Sequence, residues 1–304
     1  MHMALLNSLL ELAHATSENL AFAHRKDVDV SYGEETITET NLLELRRRHP
    51  DMITLKTFGK KLEAKNGADW EWHIIGRARS FGMRVQAKRL QQDDVLKIRH
   101  IVKSSGEEQI DLLTKDAEIH GLMPVYCFYS SELQRQKWKV SSDHHGLTSP
   151  FEFGCLLANA DRVKAKKPTS LAAIEADCVP WHYLADRRRF RRLARIGIVE
   201  DGTTTQFLSA EGILQLPVAE TAGPDPALGD IFPTIDELNN FDIEMPGRTG
   251  IFEHRSDVIR PEMSEEIFHK RRISRLIEID VRGLPFDEDE PVVLPEAPPD
   301  PRPW

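Results

Sequence analysis

The sequence predicts an α/β protein, on three observations. Segments with apolar residues at helical spacing (4–24, 33–48 and 107–121) interleave with short runs rich in β-branched and aromatic residues (52–58, 69–75, 83–90 and 123–131). From residue 33 to residue 131 these segments run helix, strand, strand, strand, helix, strand. The chain has 304 residues, of which 40% are hydrophobic, enough to bury a sizeable core in one large domain or two small ones.

Taken in order, the leucines of 4–24 give an amphipathic helix, and residues 1–32 form an N-terminal helical segment. In GEETITETNLLELRRR (33–48), Ile37, Leu42, Leu43 and Leu45 make an apolar side, and acids precede arginines as the helix dipole favours. MITLKTF (52–58) reads as a strand, LEAKNG turns into the strand at 69–75, ARSFG connects, and 83–90 returns. EEQIDLLTKDAEIHG (107–121) is a helix ending at Gly121, and MPVYCFYSS (123–131) a buried strand. Beyond it the signals are weaker: a helix or a strand entering one at 151–163, a basic helix at 181–197, short helices at 234–241 and 264–272, and a good strand at 275–283. Residues 132–284 read as an extension of the same domain, and 285–304 as an acidic, proline-rich tail.

Composition excludes several classes. No run approaches 18 apolar residues, so no transmembrane helix is expected, and the N-terminus lacks the basic segment of a signal peptide. The three cysteines, Cys127, Cys155 and Cys178, give neither a disulfide framework nor a zinc spacing, which makes the cytoplasm the expected compartment. The net charge of −9 argues against a protein coated by nucleic acid, yet RRRFRRLAR (187–195) carries six arginines in nine positions. Arginine binds phosphate bidentately, so Arg187, Arg188, Arg189, Arg191 and Arg192 are candidate contacts to a nucleic-acid backbone; a solvated helix face is the alternative.

The chemistry concentrates in GADWEWHIIGRARSFGMRVQAKRL (67–90). Successive side chains of a strand point to opposite faces, so Asp69 and Glu71 share one side and Trp70 and Trp72 the other. Gln86 and Lys88 likewise share a side of the next strand. His73 is placed away from Asp69 and Glu71, outside the site. A carboxylate, an amide oxygen and an ammonium converging on a covered face need a reason, because burying unpaired charge is costly. One reason is a structural cross-strand ion-pair cluster. The other is a divalent metal: Mg²⁺ takes oxygen ligands, commonly one or two carboxylates with water and substrate phosphate. Asp69 and Gln86 supply oxygens, and Lys88 stands where developing negative charge or an attacking water needs it, an inventory suited to metal-assisted phosphodiester hydrolysis. Trp70 and Trp72 are core. His144, His145 and His182 match no zinc pattern.

Asp69 followed across a strand pair by Gln86-Ala87-Lys88 resembles the PD-(D/E)XK signature of the restriction-endonuclease-like nucleases. The set EETITE, GADWEW and QAKRL also looks like an uncharacterised bacterial family of that superfamily. The resemblance implies a restriction-endonuclease-like core at 33–131, a central mixed β-sheet flanked by helices, with a C-terminal extension. It implies a Mg²⁺ (or Mn²⁺) site held by Asp69 and Gln86. A helix glutamate would join them: Glu35 matches best, and Glu34 and Glu39 compete. Two departures stand out: Gln86 replaces the usual acid, and no proline precedes Asp69. Glu71, or Glu63 through the turn, would restore the missing charge. Glu35 as a helix-dipole acid is the plainer alternative.

The implied activity is a metal-dependent endonuclease hydrolysing DNA, in bacterial defence against foreign DNA. The residues do not choose DNA over RNA or reveal a homodimer interface. Two alternatives stay open: an inactive nucleic-acid-binding module on the same core, and a nuclease subunit active only with a sensor or ATPase partner. No Gly-rich phosphate loop supports an NTPase within the chain.

Overall fold

The computed structural model describes residues 2–57, 67–91, 95–103, 105–131, 154–174, 177–185, 199–200, 204–209, 212–217, 232–253 and 275–284. Two helices open the chain, α1 (His2–Ala23) and α2 (Glu34–Arg48). Helix α2 starts on Glu34 and Glu35 and ends on Arg46, Arg47 and Arg48, so its charges oppose its dipole at both ends. Its buried stripe is Ile37, Thr38, Asn41, Leu42 and Leu45. Leu43, expected on that stripe, is exposed.

Strands β1 (Ile53–Thr57), β2 (Trp70–Ile75) and β3 (Arg79–Arg89) follow, then α3 (Gln109–Ile119) and β4 (Met123–Tyr129). The expected order of elements is therefore present. The connection between β2 and β3 is tighter than ARSFG implied: β3 already includes Arg79, Ser80 and Phe81, and the turn is Gly76-Arg77-Ala78, closed by the Gly76 amide donating to the Arg79 carbonyl at 2.8 Å. Next come β5 (Cys155–Asn159), α4 (Ala160–Lys166) and β6 (Cys178–Pro180). A strand running into a helix is what 151–163 suggested, and the Asn159 side chain caps that helix by accepting from the amides of Asp161 and Arg162. Strands β7 (Val199–Glu200), β8 (Thr204–Ser209) and β9 (Gly212–Pro217) form a separate three-stranded antiparallel sheet that the sequence did not announce. Helix α5 (Ile235–Asn239) starts on a capping box of Thr234 and Glu237, and β10 (Ile251–Glu253) and β11 (Arg275–Asp280) complete the described α-helices and strands.

Eight strands make one mixed, open sheet in the order β1-β11-β2-β3-β4-β5-β6, with β10 on β3. The pair β2–β3 is antiparallel, and β3–β4 is parallel with α3 as the crossover. Strand β1 does not lie beside β2. Strand β11 comes between them, antiparallel to β1 and parallel to β2. The C-terminal strand is thus an internal member of the sheet.

Helices cover both faces. Trp70, Trp72, Val85, Ala87 and Ile277 pack with α1 and α2 into the larger core. Tyr126, Phe128 and Leu156 pack with α3 and α4 into a second one. Every β2 residue but the last is buried, as befits a strand covered on both sides. Trp70 and Trp72 are core, as expected. Among the described residues no helix is long and apolar enough to cross a membrane.

Candidate functional site

Asp69, Gln86 and Lys88 come together where β2 begins and β3 runs on beside β4. The Asp69 amide donates to the Val85 carbonyl at 2.8 Å, extending the β2–β3 ladder by one residue. Its Oδ2 accepts from Gln86 Nε2 at 2.6 Å and from the Ala87 amide at 2.7 Å. The turn before it is fixed by Gly67, whose φ is +72°. A Cβ there would lie 2.6 Å from the Gln109 carbonyl, so the turn is pressed against the start of α3.

Gln109 is the member that sequence reasoning missed. Its Nε2 donates to Gln86 Oε1 at 2.6 Å, and its Oε1 accepts from Lys88 Nζ at 3.0 Å. The four side chains form one directed chain, Lys88 to Gln109 to Gln86 to Asp69. The ends set that direction: an ammonium only donates and a carboxylate only accepts, so both amides must turn their oxygens towards Lys88 and their nitrogens towards Asp69. Gln86 is buried, whereas Asp69, Lys88 and Gln109 are half-buried, so both ends of the chain reach partly accessible positions around a buried member. Gln109 had a signal in the sequence. Gln109, Leu113, Asp116 and His120 recur at helical spacing on the sheet side of α3, polar groups bracketing an apolar stripe.

Among the helix acids, Glu34 reaches β3 itself, its Oε1 accepting from the Arg89 amide at 3.0 Å. Glu35 and Glu39 are exposed and meet at Arg275, the first residue of β11, at 3.5 Å and 3.0 Å. Arg275 also donates to the main-chain oxygen of Asp69 at 3.3 Å. Glu35 therefore approaches the Asp69 corner by way of a guanidinium, a partner the sequence did not reveal.

Glu71 turns to a different group. Fully buried, it pairs with His73 and sits 3.4 Å from the equally buried Arg84. Arg84 in turn pairs with Asp116 of α3 at 2.9 Å and lies 3.4 Å from His120 Nδ1. Placing His73 away from Glu71 was wrong, because residues two apart on a strand share a face. Glu71 thus anchors α3 to β2 and β3, with its oxygens turned to His73 and Arg84. His182 is buried, as a core histidine. Glu63, His144, His145, the tail from 285 and the candidate phosphate contacts Arg187, Arg188, Arg189, Arg191 and Arg192 lie outside the described residues.

This corner could hold a hard cation with one protein carboxylate only with the Gln86 amide turned over. The Gln86 Nε2 is held between Asp69 Oδ2 and the Ala87 carbonyl, which it meets at 3.0 Å, so a donor already sits among oxygens. Turning that amide over would present Asp69, Gln86 Oε1 and the Ala87 carbonyl together. Acidic side chains also act on the core beside the corner. Burial raises the Tyr126 hydroxyl, the cross-strand neighbour of Gln86, well above the usual tyrosine range, and Asp69, Glu108 and Asp111 push it further. Among the described residues no three Asp, Glu, His or Cys side chains cluster as a metal site, so water and phosphate would complete the shell.

The sequence profile of a family of unknown function (DUF6615) matches residues 5–272. No curated protein matches the chain.

Proposed function

We propose that this chain, which belongs to the family of unknown function DUF6615, is a Mg²⁺- or Mn²⁺-dependent endonuclease acting on DNA in the cytoplasm, built on a restriction-endonuclease-like core. The single observation that carries the reading is the convergence of Asp69, Gln86 and Lys88 on adjacent strands, linked through Gln109 at 2.6–3.0 Å. The arrangement of β2 antiparallel to β3, β3 parallel to β4, and α3 as the crossover supports the core assignment.

In this reading Asp69 Oδ2, Gln86 Oε1 and the Ala87 carbonyl hold the cation. The bound metal would supply Lewis acidity and lower the pKa of its water. Lys88 positions the attacking water and balances charge that develops on the phosphorus oxygens. The Ala87 amide and Arg275 hold Asp69 in place. The arginines of 187–195 contact the phosphate backbone, which positions a duplex without reading its sequence. Defence against foreign DNA is the biological role that fits such an enzyme.

A second reading is favoured by how completely the corner closes on itself. Gln86 donates to Asp69, and Arg275 engages Glu35 and Glu39, as in a module that binds nucleic acid without cutting it. Supercoiled plasmid incubated with Mg²⁺, Mn²⁺ or EDTA separates the two. Metal-dependent nicking lost in Asp69→Ala and in Lys88→Ala is the expected result. Mobility shift without cleavage in any metal supports the binding module. Cleavage that survives both substitutions overturns the site.

A further inference from the structure

We propose that Gln109 is a positioning residue that couples the Asp69 corner to Lys88: when Gln86 turns its oxygen to a cation at Asp69, Gln109 turns over in response and lets Lys88 go. The inference rests on the metal-dependent reading above and adds how its two halves communicate.

The argument is one of hydrogen-bond direction. As the structure stands, Lys88 Nζ donates to Gln109 Oε1, Gln109 Nε2 donates to Gln86 Oε1, and Gln86 Nε2 donates to Asp69 Oδ2. A cation beside Asp69 repels the Gln86 amide nitrogen and attracts its oxygen. Once Gln86 turns over, its nitrogen faces Gln109, and a Gln109 nitrogen at that contact would oppose donor to donor. Gln109 restores the bond only by presenting its own oxygen to Gln86. Its nitrogen then faces the Lys88 ammonium, which has no acceptor capacity. The Lys88 contact breaks, and the half-buried ammonium is released towards solvent and any phosphate there.

The two amides are therefore not independent groups. Each has two faces of opposite character, and the two amides have two mutually consistent settings: donors pointing to Asp69 with Lys88 bound, or donors pointing away from Asp69 with the Lys88 contact broken. Gln109 is held where it can read both ends. Gly67 abuts its carbonyl, and two turns further along the same helix Asp116 pairs with the buried Arg84. Coupling of this kind is reciprocal, so whatever draws Lys88 away from Gln109 also eases cation binding at Asp69.

Lysine side-chain NMR and calorimetry test this without reference to cleavage. The full chain carries ¹³C-labelled lysine, the Lys88 signal is assigned with Lys88→Arg, and Mg²⁺ is titrated into wild type, Gln109→Leu, Gln109→Glu and Asp69→Asn. Wild type is expected to bind Mg²⁺, with the Lys88 signal moving in proportion to occupancy. In Gln109→Leu the Lys88 signal should already be at its released position and stay there, while Mg²⁺ binds roughly tenfold tighter because no hydrogen bond to Gln109 has to be exchanged. In Gln109→Glu, a side chain of the same shape that only accepts, Lys88 should stay held whatever the Mg²⁺ concentration. Mg²⁺ binding that needs Asp69 but moves Lys88 equally in wild type and both Gln109 variants, or does not move it in wild type, overturns the coupling and leaves the metal site standing. No Mg²⁺ binding that Asp69→Asn removes overturns the coupling and the metal-dependent reading together.

Discussion

Replacing Glu71 by glutamine separates a structural carboxylate from a metal ligand. Glu71 and Arg84 are both 0% exposed and 3.4 Å apart, and the Glu71 carboxylate also meets His73. Removing one partner of a buried ion pair leaves the other charge uncompensated and costs about 3–5 kcal/mol. Here Arg84 keeps Asp116 at 2.9 Å, and Asp116 is 18% exposed, so part of the compensation survives. The expected loss for Glu71→Gln is therefore at the lower end, about 3 kcal/mol. Arg84→Met should cost a similar amount, because it takes the guanidinium from both the buried Glu71 and Asp116 and leaves their charges to His73 and His120. The double variant should cost less than the sum, with a coupling of about 2 kcal/mol.

Urea unfolding followed by tryptophan fluorescence measures all three, since the buried Trp70 and Trp72 flank Glu71. Cleavage is measured alongside, at a temperature where each variant is folded. Glu71→Gln should retain metal-dependent cleavage within about threefold, roughly half of the 1.4 kcal/mol that a tenfold change represents. Wild-type stability in Glu71→Gln, or strict additivity in the double variant, would refute the argument from burial. Intact stability with lost cleavage would return Glu71 to the metal site.

Two further outcomes follow from the geometry. Gly67→Ala places a side chain at φ +72° with its Cβ 2.6 Å from the Gln109 carbonyl, and should lower stability by about 1–3 kcal/mol; an unchanged urea midpoint would show that the turn does not press on α3. His49, whose Nε2 pairs with Ser8 Oγ at 2.9 Å, has its pKa held below 6.5 by burial and then by the charge of Arg48. The unfolded chain then binds the proton more readily than the folded one, so stability is full above pH 6.5 and falls as pH drops through that value towards the folded pKa. His49→Gln should flatten the decline in thermal melts between pH 7 and pH 5, and an unaltered slope would assign it to other groups.

What the sequence made legible is local. Helix α2 declares itself by Ile37, Leu42 and Leu45 and by acids and arginines at opposite ends. Strands β2 and β3 show their alternation, so the sequence alone places Asp69, Gln86 and Lys88 together. What it hid is long-range or ambiguous. Strand β11 reads as a strand, yet nothing within 275–280 says that it pairs with residues more than two hundred positions earlier, between β1 and β2. Arg275 was missed for that reason, since its nearness to Glu35 and Asp69 is a consequence of strand order. The β2–β3 turn was misplaced because Gly76-Arg77-Ala78 and Ser80-Phe81-Gly82 carry similar turn residues. Gly82 is in fact a strand residue whose missing side chain admits Leu122, which would lie 2.5 Å from a Cβ there.

The glutamine at position 86 ties these strands of argument together. An acid there would place two carboxylates about as close as Asp69 and Gln86 Nε2 now are, 2.6 Å, and like charges at that separation require a cation or a shared proton between them. Glutamine removes that requirement. Its nitrogen satisfies Asp69, its oxygen satisfies Gln109, and the corner folds as a closed hydrogen-bonded unit with Lys88 tethered at the far end. Glutamine also supplies one negative charge fewer than an acid would, so any cation would compete with an internal donor already in place. In the proposed reading such a site would be at rest until something outside it, such as a metal with its phosphate-bearing substrate, supplied enough positive charge and enough oxygen ligands to turn the amide. On that proposal an uncharged residue at position 86 would be compatible with chemistry, and the hydrogen-bonded arrangement would be a resting state in which Lys88 is held back.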